Sequence, residues 1–296
     1  MSQQQRAAID ALLRGAPYDP SASIADERAP FAQAQTRPLP EGVTARTATL
    51  GGRPALELRI PGPAGPAVLL YLHGGAYALG SARTGASLAA QLACRIGARA
   101  VSLDYRLAPE HPFPAAVDDG LAAYRELLDG GTRPEHLVLA GDSAGGGLAV
   151  ATLLAARDAG LPQPAAVAVF SPWADLTLSG ASMQTKHGVD PLFTRERMGT
   201  YARAYLGDHD GTDSLASPVF ADLTGLPPLL VQVGSHEVLL DDAVRLAGAA
   251  GTADVPVTLE ITDGVPHVFQ NFAGTLDDAD RALDRCGLFL AAAIGP

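Results

Sequence analysis

The sequence has few cysteines, few positive charges and no long apolar run, and each shortage excludes a class of protein. Two cysteines in 296 residues cannot form a disulfide framework, and neither Cys94 nor Cys286 has the neighbouring cysteines or histidines of a zinc site. Both fall in apolar helical patterns, so we expect them to fill the core in a reducing compartment. No stretch approaches the roughly 18 apolar residues that a membrane helix requires, so no membrane span is expected.

Positive charge is the scarcer kind, with 21 Lys and Arg residues against 32 Asp and Glu, a net charge of −11. A surface of that sign repels phosphate, which excludes nucleic acid and an anionic membrane as main partners. The first residues, MSQQQRAAIDALLRGAPYDP, have Asp10 inside their apolar part and no small-residue cleavage site. They predict a short amphipathic helix in place of a signal peptide, and therefore a cytoplasmic protein.

Short apolar runs alternate with helical stretches along most of the chain. Residues 44–50 and 55–60 flank Gly51 and Gly52 as a hairpin. Further strands are predicted at 67–72, 99–103, 137–140, 166–170, 229–233 and 257–261. Helices are predicted at 84–96, 115–128, 144–159, 239–250 and 275–294. The alternation indicates an α/β fold with a mostly parallel sheet of about eight strands, flanked by helices and ending in an antiparallel edge.

Two segments interrupt this alternation. Residues 1–42 are helical or irregular, and residues 176–220 are polar with one clear helix, TRERMGTYARAYLG. We expect them to fold together as a helical cap over the carboxyl edge of the sheet, where open α/β sheets bind ligands. The catalytic core would then comprise residues 43–175 and 221–296. Surface decoration is the alternative for both segments.

The stretch LVLAGDSAGGGLAV, residues 137–150, places one serine between two glycines at a strand-to-helix turn. Gly141 and Gly145 leave no Cβ where the backbone bends sharply and neighbours approach closely. G-x-S-x-G in that context is the nucleophile elbow, with Ser143 as the nucleophile. A glycine-rich loop with a capping serine would read the same way, so the rest of the chain must decide.

A serine nucleophile needs a base, and the base needs an orienting acid. Of seven histidines, only His267 follows the last predicted strand and precedes the last helix. Glu237 comes soonest after the preceding strand, whereas Asp241 and Asp242 fall in the first turn of the next helix, where the dipole favours carboxylates anyway. The order Ser143, Glu237, His267 is the order expected of this type of triad, in which the acid holds the histidine tautomer.

The reaction also needs donors for the oxygen that becomes negative. In YLHGGAY, after strand 67–72, Gly74 and Gly75 can turn their N–H groups inward without a Cβ clash. Ala144 supplies the N–H that follows the nucleophile. A simple Gly-Gly turn is the alternative. The loop GDHDGTD around His209 lacks the glycine and glutamate spacing of a calcium loop, so no metal is expected.

Five blocks in order, HGGAY, LDYRLAPEHPFPAAVDD, GDSAGG, SPWADLT and DGVPHVF, resemble the microbial hormone-sensitive-lipase-like carboxylesterases of the α/β-hydrolase superfamily. The resemblance spans about residue 60 to the C-terminus. It implies an α/β-hydrolase fold with a helical cap and a serine esterase for short- to medium-chain esters that works through an acyl-enzyme. The resemblance implies no cofactor. It also implies homodimers, formed through the last strand or helix. Ser143, His267, Gly74, Gly75 and Ala144 match the family's site.

This chain departs from the resembling family at two positions. Ala76 stands where a third glycine is common, and Glu237 stands where aspartate is common. The first departure affects the shape of the acyl pocket, and the second leaves the acid the least secure member of the triad. The same machinery would also cleave a lactone, and a non-catalytic small-molecule-binding protein on this fold is the alternative from another class.

Several further residues in the matched blocks receive roles by position. Tyr77, Trp173 and Asp142 are candidates for substrate binding, although Trp173 reads equally as a core aromatic at a strand end, and Asp142 as a carboxylate that bonds backbone donors. Glu110 is expected to anchor the neighbourhood of the elbow. His73 is expected to brace the oxyanion loop.

Overall fold

The computed structural model describes residues 2–15, 22–62 and 65–294. Within these ranges eight strands form one sheet in the order β1-β2-β4-β3-β5-β6-β7-β8. The strands are β1 (Thr44–Leu50), β2 (Arg53–Arg59), β3 (Val68–Leu72), β4 (Arg99–Leu103), β5 (Leu137–Asp142), β6 (Ala166–Phe170), β7 (Leu229–Gly234) and β8 (Val257–Thr262). The pairs β1–β2 and β2–β4 are antiparallel, and β3 to β8 run parallel with β4, which confirms the predicted sheet and its antiparallel edge.

Helices cover both faces of the sheet. They are α1 (Ser2–Arg14), α2 (Ile24–Gln35), α3 (Ala82–Ile96), α4 (Ala115–Asp129), α5 (Ala144–Asp158), α6 (Ser182–Thr185), α7 (Arg195–Leu206), α8 (Leu240–Thr252) and α9 (Asp277–Ile294), with short 3₁₀ helices at Pro134–His136, Pro218–Phe220 and Phe269–Phe272. Apolar residues of α4, α5 and α8 pack on one face, and those of α3 and α9 pack on the other. No helix in the described ranges has the length and hydrophobicity to cross a bilayer.

The central strands are apolar along their whole length because both of their faces are covered. Every residue of β5 and of β6 is buried, as parallel strands between two helix layers require. The edge strand β1 is mostly exposed and consists mainly of Thr, Ala and Arg residues. These patterns explain why the strands were readable from the sequence.

The strand order brings the candidate residues to one edge. β5, β6, β7 and β8 are consecutive neighbours and run in the same direction. The loops that follow them, which carry Ser143, Ser171, Glu237 and His267, therefore meet at the carboxyl edge of the sheet.

The first of the two interrupting segments contacts both the core and the second segment. The α1 helix packs Ile9 beside Phe269 and Phe272, and Arg14 donates hydrogen bonds to the carbonyl oxygens of Gly188 and Val189 at 3.1 and 2.7 Å. The predicted amphipathic helix is thus present at 2–14. Residues 1 and 16–20 of the stretch that predicted it lie outside the described residues.

Two expectations from the sequence are corrected by the structure. Cys286 is buried as expected, but Cys94 is exposed, because it lies on the solvent side of the amphipathic α3. Glu110 does not anchor the elbow. Its carboxylate is exposed and pairs with Arg28 of α2, which also donates to the carbonyl oxygens of Ala78 and Ala108.

Candidate active site

Ser143 occupies a strained turn between β5 and α5. Its backbone has φ 54° and ψ −123°, a conformation that residues other than glycine rarely adopt. The Ser143 N–H donates to the Phe170 carbonyl at 2.8 Å, and the Ser143 carbonyl accepts from the Trp173 N–H at 2.9 Å. Backbone bonds to the end of β6 therefore hold the serine at the carboxyl edge in spite of the strain.

The structure brings Glu237 and His267 into direct contact. The His267 Nδ1 lies 2.7 Å from Glu237 Oε2, and both side chains are buried. Glu237 sits on the loop after β7, and His267 sits on the loop after β8, as the sequence order predicts. Asp241 and Asp242 instead accept backbone N–H groups, from Ser182 and from Ala174 and Asp175, and do not reach the histidine.

Ser171 joins this network although the sequence analysis gave it no role. Its hydroxyl donates to Glu237 Oε1 at 2.8 Å and accepts the Val268 N–H at 2.9 Å. The Gly234 N–H donates to the same Glu237 oxygen at 2.7 Å. Two donors thus orient the carboxylate, and one of them, the Ser171 hydroxyl, also holds the loop of His267. Its only sequence signal is its position at the end of β6, between the strands of the nucleophile and the acid.

The charge balance around His267 favours its protonated form. Burial by itself would lower the pKa of His267, but the Glu237 carboxylate beside it, with the charges of Asp190 and Asp142, raises that pKa above the ordinary 6.5. A histidine arranged in this way accepts a proton readily, because its neighbours stabilise the imidazolium.

The loop after β3 contradicts one predicted oxyanion donor, the N–H group of Gly74. The Gly74 N–H donates to Asp142 Oδ1 at 3.0 Å, so it is turned to that carboxylate and is not available to a substrate oxygen. The Tyr71 hydroxyl donates to the same oxygen at 2.7 Å. Burial raises the pKa of Asp142, while these two donors and the nearby histidines favour its charged form. Asp142 therefore ties the loop to the elbow by accepting backbone and hydroxyl donors, the second of the two roles predicted for it.

His73 supports this loop from beneath. Its Nδ1 lies 2.7 Å from the Gly74 carbonyl oxygen, and its ring stacks on Tyr105 with centroids 4.2 Å apart. Burial lowers the pKa of His73, which favours the neutral ring, although the Gly74 carbonyl opposes the shift. The Tyr105 hydroxyl in turn donates to the His73 carbonyl at 2.7 Å.

A cavity of about 150 Å³ opens over Ser143 and His267. The core supplies Gly74, Gly75, Ala76 and Asp142 to its wall. The interrupting segments supply the opposite wall, which consists of Phe31, Gln35, Leu192, Phe193, Arg197 and Tyr201. Glu27 of α2 accepts a hydrogen bond from Tyr201 and lies 3.6 Å from Arg197, so α2 and α7 are joined above the cavity.

Two predicted substrate-binding residues do not line this cavity. Tyr77 and Trp173 are almost fully buried in the main core, with ring centroids 6.1 Å apart, and Tyr77 stacks on Tyr205 at 3.9 Å. The Trp173 Nε1 donates to the Asp175 carbonyl at 3.1 Å, which satisfies its one polar group. Both follow strand ends, but their side chains turn into the core, where Tyr77 packs on Tyr205 of α7 and Trp173 lies beside Tyr77. The core reading of Trp173 is therefore the one that the structure supports.

Comparisons with known proteins identify the family and agree with the fold. The family model described as the alpha/beta hydrolase fold matches residues 69–271. An acetyl-hydrolase of Streptomyces hygroscopicus is 50% identical over 227 residues, which are 77% of this chain and 76% of that protein. An esterase of Acinetobacter venetianus is 39% identical over 73% of this chain and 72% of its own. The crystal structure of an esterase from the bacterial hormone-sensitive lipase family superposes with a TM-score of 0.95 at 43% identity, covering 99% of both chains.

Proposed function

The chain belongs to the bacterial hormone-sensitive lipase family of α/β-hydrolase esterases and is a carboxylic ester hydrolase, and we propose that it works through a Ser143–His267–Glu237 triad. The observation that carries the triad is the Glu237–His267 contact at 2.7 Å, beside the cavity that Ser143 lines. The substrate is a small ester with a short or medium acyl chain.

Each side chain has one task in the proposed reaction. His267 takes the hydroxyl proton while Ser143 Oγ attacks the ester carbonyl carbon, and the electron pair of the C=O bond moves to oxygen. The backbone N–H groups of Gly75 and Ala144 stabilise that oxyanion, since the Gly74 N–H is used by Asp142. His267 then gives its proton to the leaving alkoxide as the ester C–O bond breaks.

The second half of the reaction repeats these steps with water. A water molecule attacks the acyl-Ser143 carbonyl carbon as His267 removes its proton. The bond to Ser143 Oγ breaks, His267 returns the proton to that oxygen, and the carboxylic acid leaves. Glu237 keeps its negative charge throughout, because its part is to orient the imidazole and stabilise the imidazolium.

We further propose that residues 1–42 and 176–220 act as one cap over a core of 43–175 and 221–296. The Glu27 contacts to α7 and the Arg14 contacts to the loop before it support a single unit. A homodimer and a cytoplasmic location, both expected from the sequence, stay predictions.

We expect a preference for short acyl chains. A cavity of about 150 Å³ is the size that takes up one benzene ring in an engineered protein core. With p-nitrophenyl esters from acetate to palmitate, kcat/KM for the acetate or butyrate should exceed that for palmitate by about 100-fold or more, because methylenes that do not fit a small pocket are costly.

Ala76→Gly tests which wall limits the acyl chain. Ala76 lines the cavity, so we expect removal of its methyl group to raise the octanoate-to-acetate ratio of kcat/KM severalfold. Ala78→Gly is the matched control, since Ala78 is buried in the same loop without lining the cavity. In the wild-type enzyme, equal kcat/KM for p-nitrophenyl esters of all chain lengths would contradict the small acyl site. No hydrolysis at all would redirect the search to lactones.

The rate should depend on pH through His267. A general base must be neutral, so kcat/KM should fall as the pH drops through a midpoint above 6.5, the direction that the raised pKa of His267 requires. Glu237→Gln removes the nearest negative charge. We expect it to move this midpoint to lower pH and to reduce kcat on the order of 10⁴-fold, as loss of the acid does in a worked triad.

Asp241→Asn is the control for this experiment. Asp241 is the next carboxylate along the chain, in the first turn of α8, but it accepts the Ser182 N–H and does not touch His267. Its substitution should leave the midpoint in place. If Asp241→Asn moved the midpoint and Glu237→Gln did not, the acid of the triad would have to be reassigned.

A further inference from the structure

Asp190 is a buried carboxylate in the loop between α6 and α7, and both of its oxygens are used. Its Oδ1 accepts the N–H groups of Leu192 and Phe193 at 2.7 and 2.9 Å. Its Oδ2 accepts the Val238 N–H at 2.8 Å. Only 6% of the residue is exposed, so these bonds are protected from water and the carboxylate is not a surface group.

The bond to Val238 reaches the triad through the backbone. Val238 follows Glu237 directly, and the segment 182–190 holds both polar groups of Val238. Asp190 accepts its N–H, and the Ser182 hydroxyl donates to its carbonyl oxygen at 2.5 Å. The loop that carries the catalytic acid is therefore clasped from the side of the cavity wall.

The bond to Phe193 reaches the triad from the other side. The Phe193 ring lines the cavity and stands perpendicular to the His267 ring, with centroids 5.1 Å apart. Because Asp190 holds the backbone of Phe193, a single carboxylate sets the position of two groups that flank His267.

Among the residues that the structure describes, charged groups from two other elements act on Asp190. His267 is one, and Arg14 of α1 is the other, held nearby by the carbonyl oxygens of Gly188 and Val189. Burial raises the pKa of Asp190, and its three N–H donors and His267 oppose that shift. In its charged form it adds to the field of Glu237 that favours the imidazolium.

We propose that Asp190 is a positioning residue for ester hydrolysis, which holds the Glu237 loop and the Phe193 ring in register with His267. This proposal rests on the proposed triad. It gives residues 176–220 a part in the chemistry, in addition to that of covering the substrate. Loss of Asp190 should therefore slow the chemical step more than it weakens substrate binding.

Asp190→Asn is the first test. The amide keeps the size of the side chain and can still accept from Leu192 and Phe193, but its NH₂ group would face the Val238 N–H as a second donor. We expect kcat for p-nitrophenyl butyrate to fall on the order of 10²-fold, as misplacement of a catalytic group does, with KM nearly unchanged. The acidic midpoint of kcat/KM should move to lower pH.

Asp175→Asn is the matched control. Asp175 is also buried and accepts backbone N–H groups, from Thr177 and Ser179, but it pairs with Arg245 and is not among the charges that act on His267. Its loss should cost stability and leave kcat and the pH midpoint of the folded enzyme in place. A purely structural role for Asp190 would give the two variants the same behaviour and would overturn the proposal.

A second measurement keeps the proposal separate from the triad assignment. In the Ser143→Ala background, the His267 Nδ1–H proton can be titrated by NMR without any activity. Adding Asp190→Asn to this background should lower the titration midpoint of His267. An unmoved midpoint, together with a kcat of the Asp190→Asn single variant within about twofold of wild type, would refute the proposal. If Ser143→Ala stayed active, the triad would fail while this titration still reported on Asp190.

Ser182→Ala covers the case in which Asp190→Asn does not fold. It removes the other bond to Val238 and leaves every charge in place. We expect kcat to fall by about fivefold or more with no change in the pH midpoint, since positioning is lost and the field is kept. An unchanged kcat would overturn the proposed clasp.

Discussion

Ser143→Ala is expected to lower kcat for p-nitrophenyl esters on the order of 10⁶-fold, the loss seen when a triad enzyme is deprived of its nucleophile. Alanine keeps the Cβ atom and therefore places the same demand on the backbone at φ 54°. The bonds from the Ser143 backbone to Phe170 and Trp173 use main-chain atoms and remain. Only the attacking oxygen is lost, so the melting temperature should stay close to that of the wild type.

Ser87→Ala serves as the control for this loss. The Ser87 hydroxyl donates to the Pro38 carbonyl at the surface and lies outside the cavity, so its removal should leave kcat unchanged. Initial rates at saturating ester, with circular dichroism to verify folding, decide the matter. A Ser143→Ala enzyme within tenfold of wild-type kcat would show that another group attacks the ester.

Gly145→Ala is expected to destabilise the fold severely. A Cβ atom at Gly145 would lie 2.0 Å from the Leu72 carbonyl oxygen and 2.5 Å from that of His73, and both are main-chain atoms of the adjacent strand and loop. Such a clash cannot be relieved by a side-chain rotation. β3 and α5 would have to move apart, which should cost about 3 kcal/mol or more of unfolding free energy, at the upper end of overpacking.

The matched control is Gly248→Ala in α8. It is also a helical glycine, but an added Cβ there meets no atom within 4 Å. Alanine should stabilise this helix by about 0.4–1 kcal/mol, because the unfolded chain loses freedom. Urea denaturation of both variants provides the comparison. A Gly145→Ala protein as stable as wild type would mean that the elbow does not press against β3 as described.

The sheet and the positions of the three candidate triad residues at its carboxyl edge were predictable because they depend on local patterns. Continuous apolar runs identify strands that are buried on both faces, and the parallel direction of β5 to β8 brings their loops together. Ser143 was marked by its flanking glycines. Glu237 and His267 were marked by where they fall after successive strands, and the structure brings these two into contact.

The remaining features depend on contacts between segments that are distant in sequence. The direction of the Gly74 N–H is set by Asp142, 68 positions away. Tyr77 stacks on Tyr205 of α7 and Trp173 lies beside Tyr77 in the core, contacts that no local pattern reveals. Asp190 and Ser171 act through backbone groups of Val238 and Val268, and a backbone partner leaves no mark in the sequence.

The most direct test of the triad is to trap the acyl-enzyme. The protein is mixed with p-nitrophenyl acetate, quenched in acid within the first turnovers and digested for peptide mass mapping. The proposed mechanism predicts one acetyl group on the peptide that contains Ser143, and none on that peptide in Ser143→Ala. Rapid ester hydrolysis with an acetyl group on a different residue would contradict it.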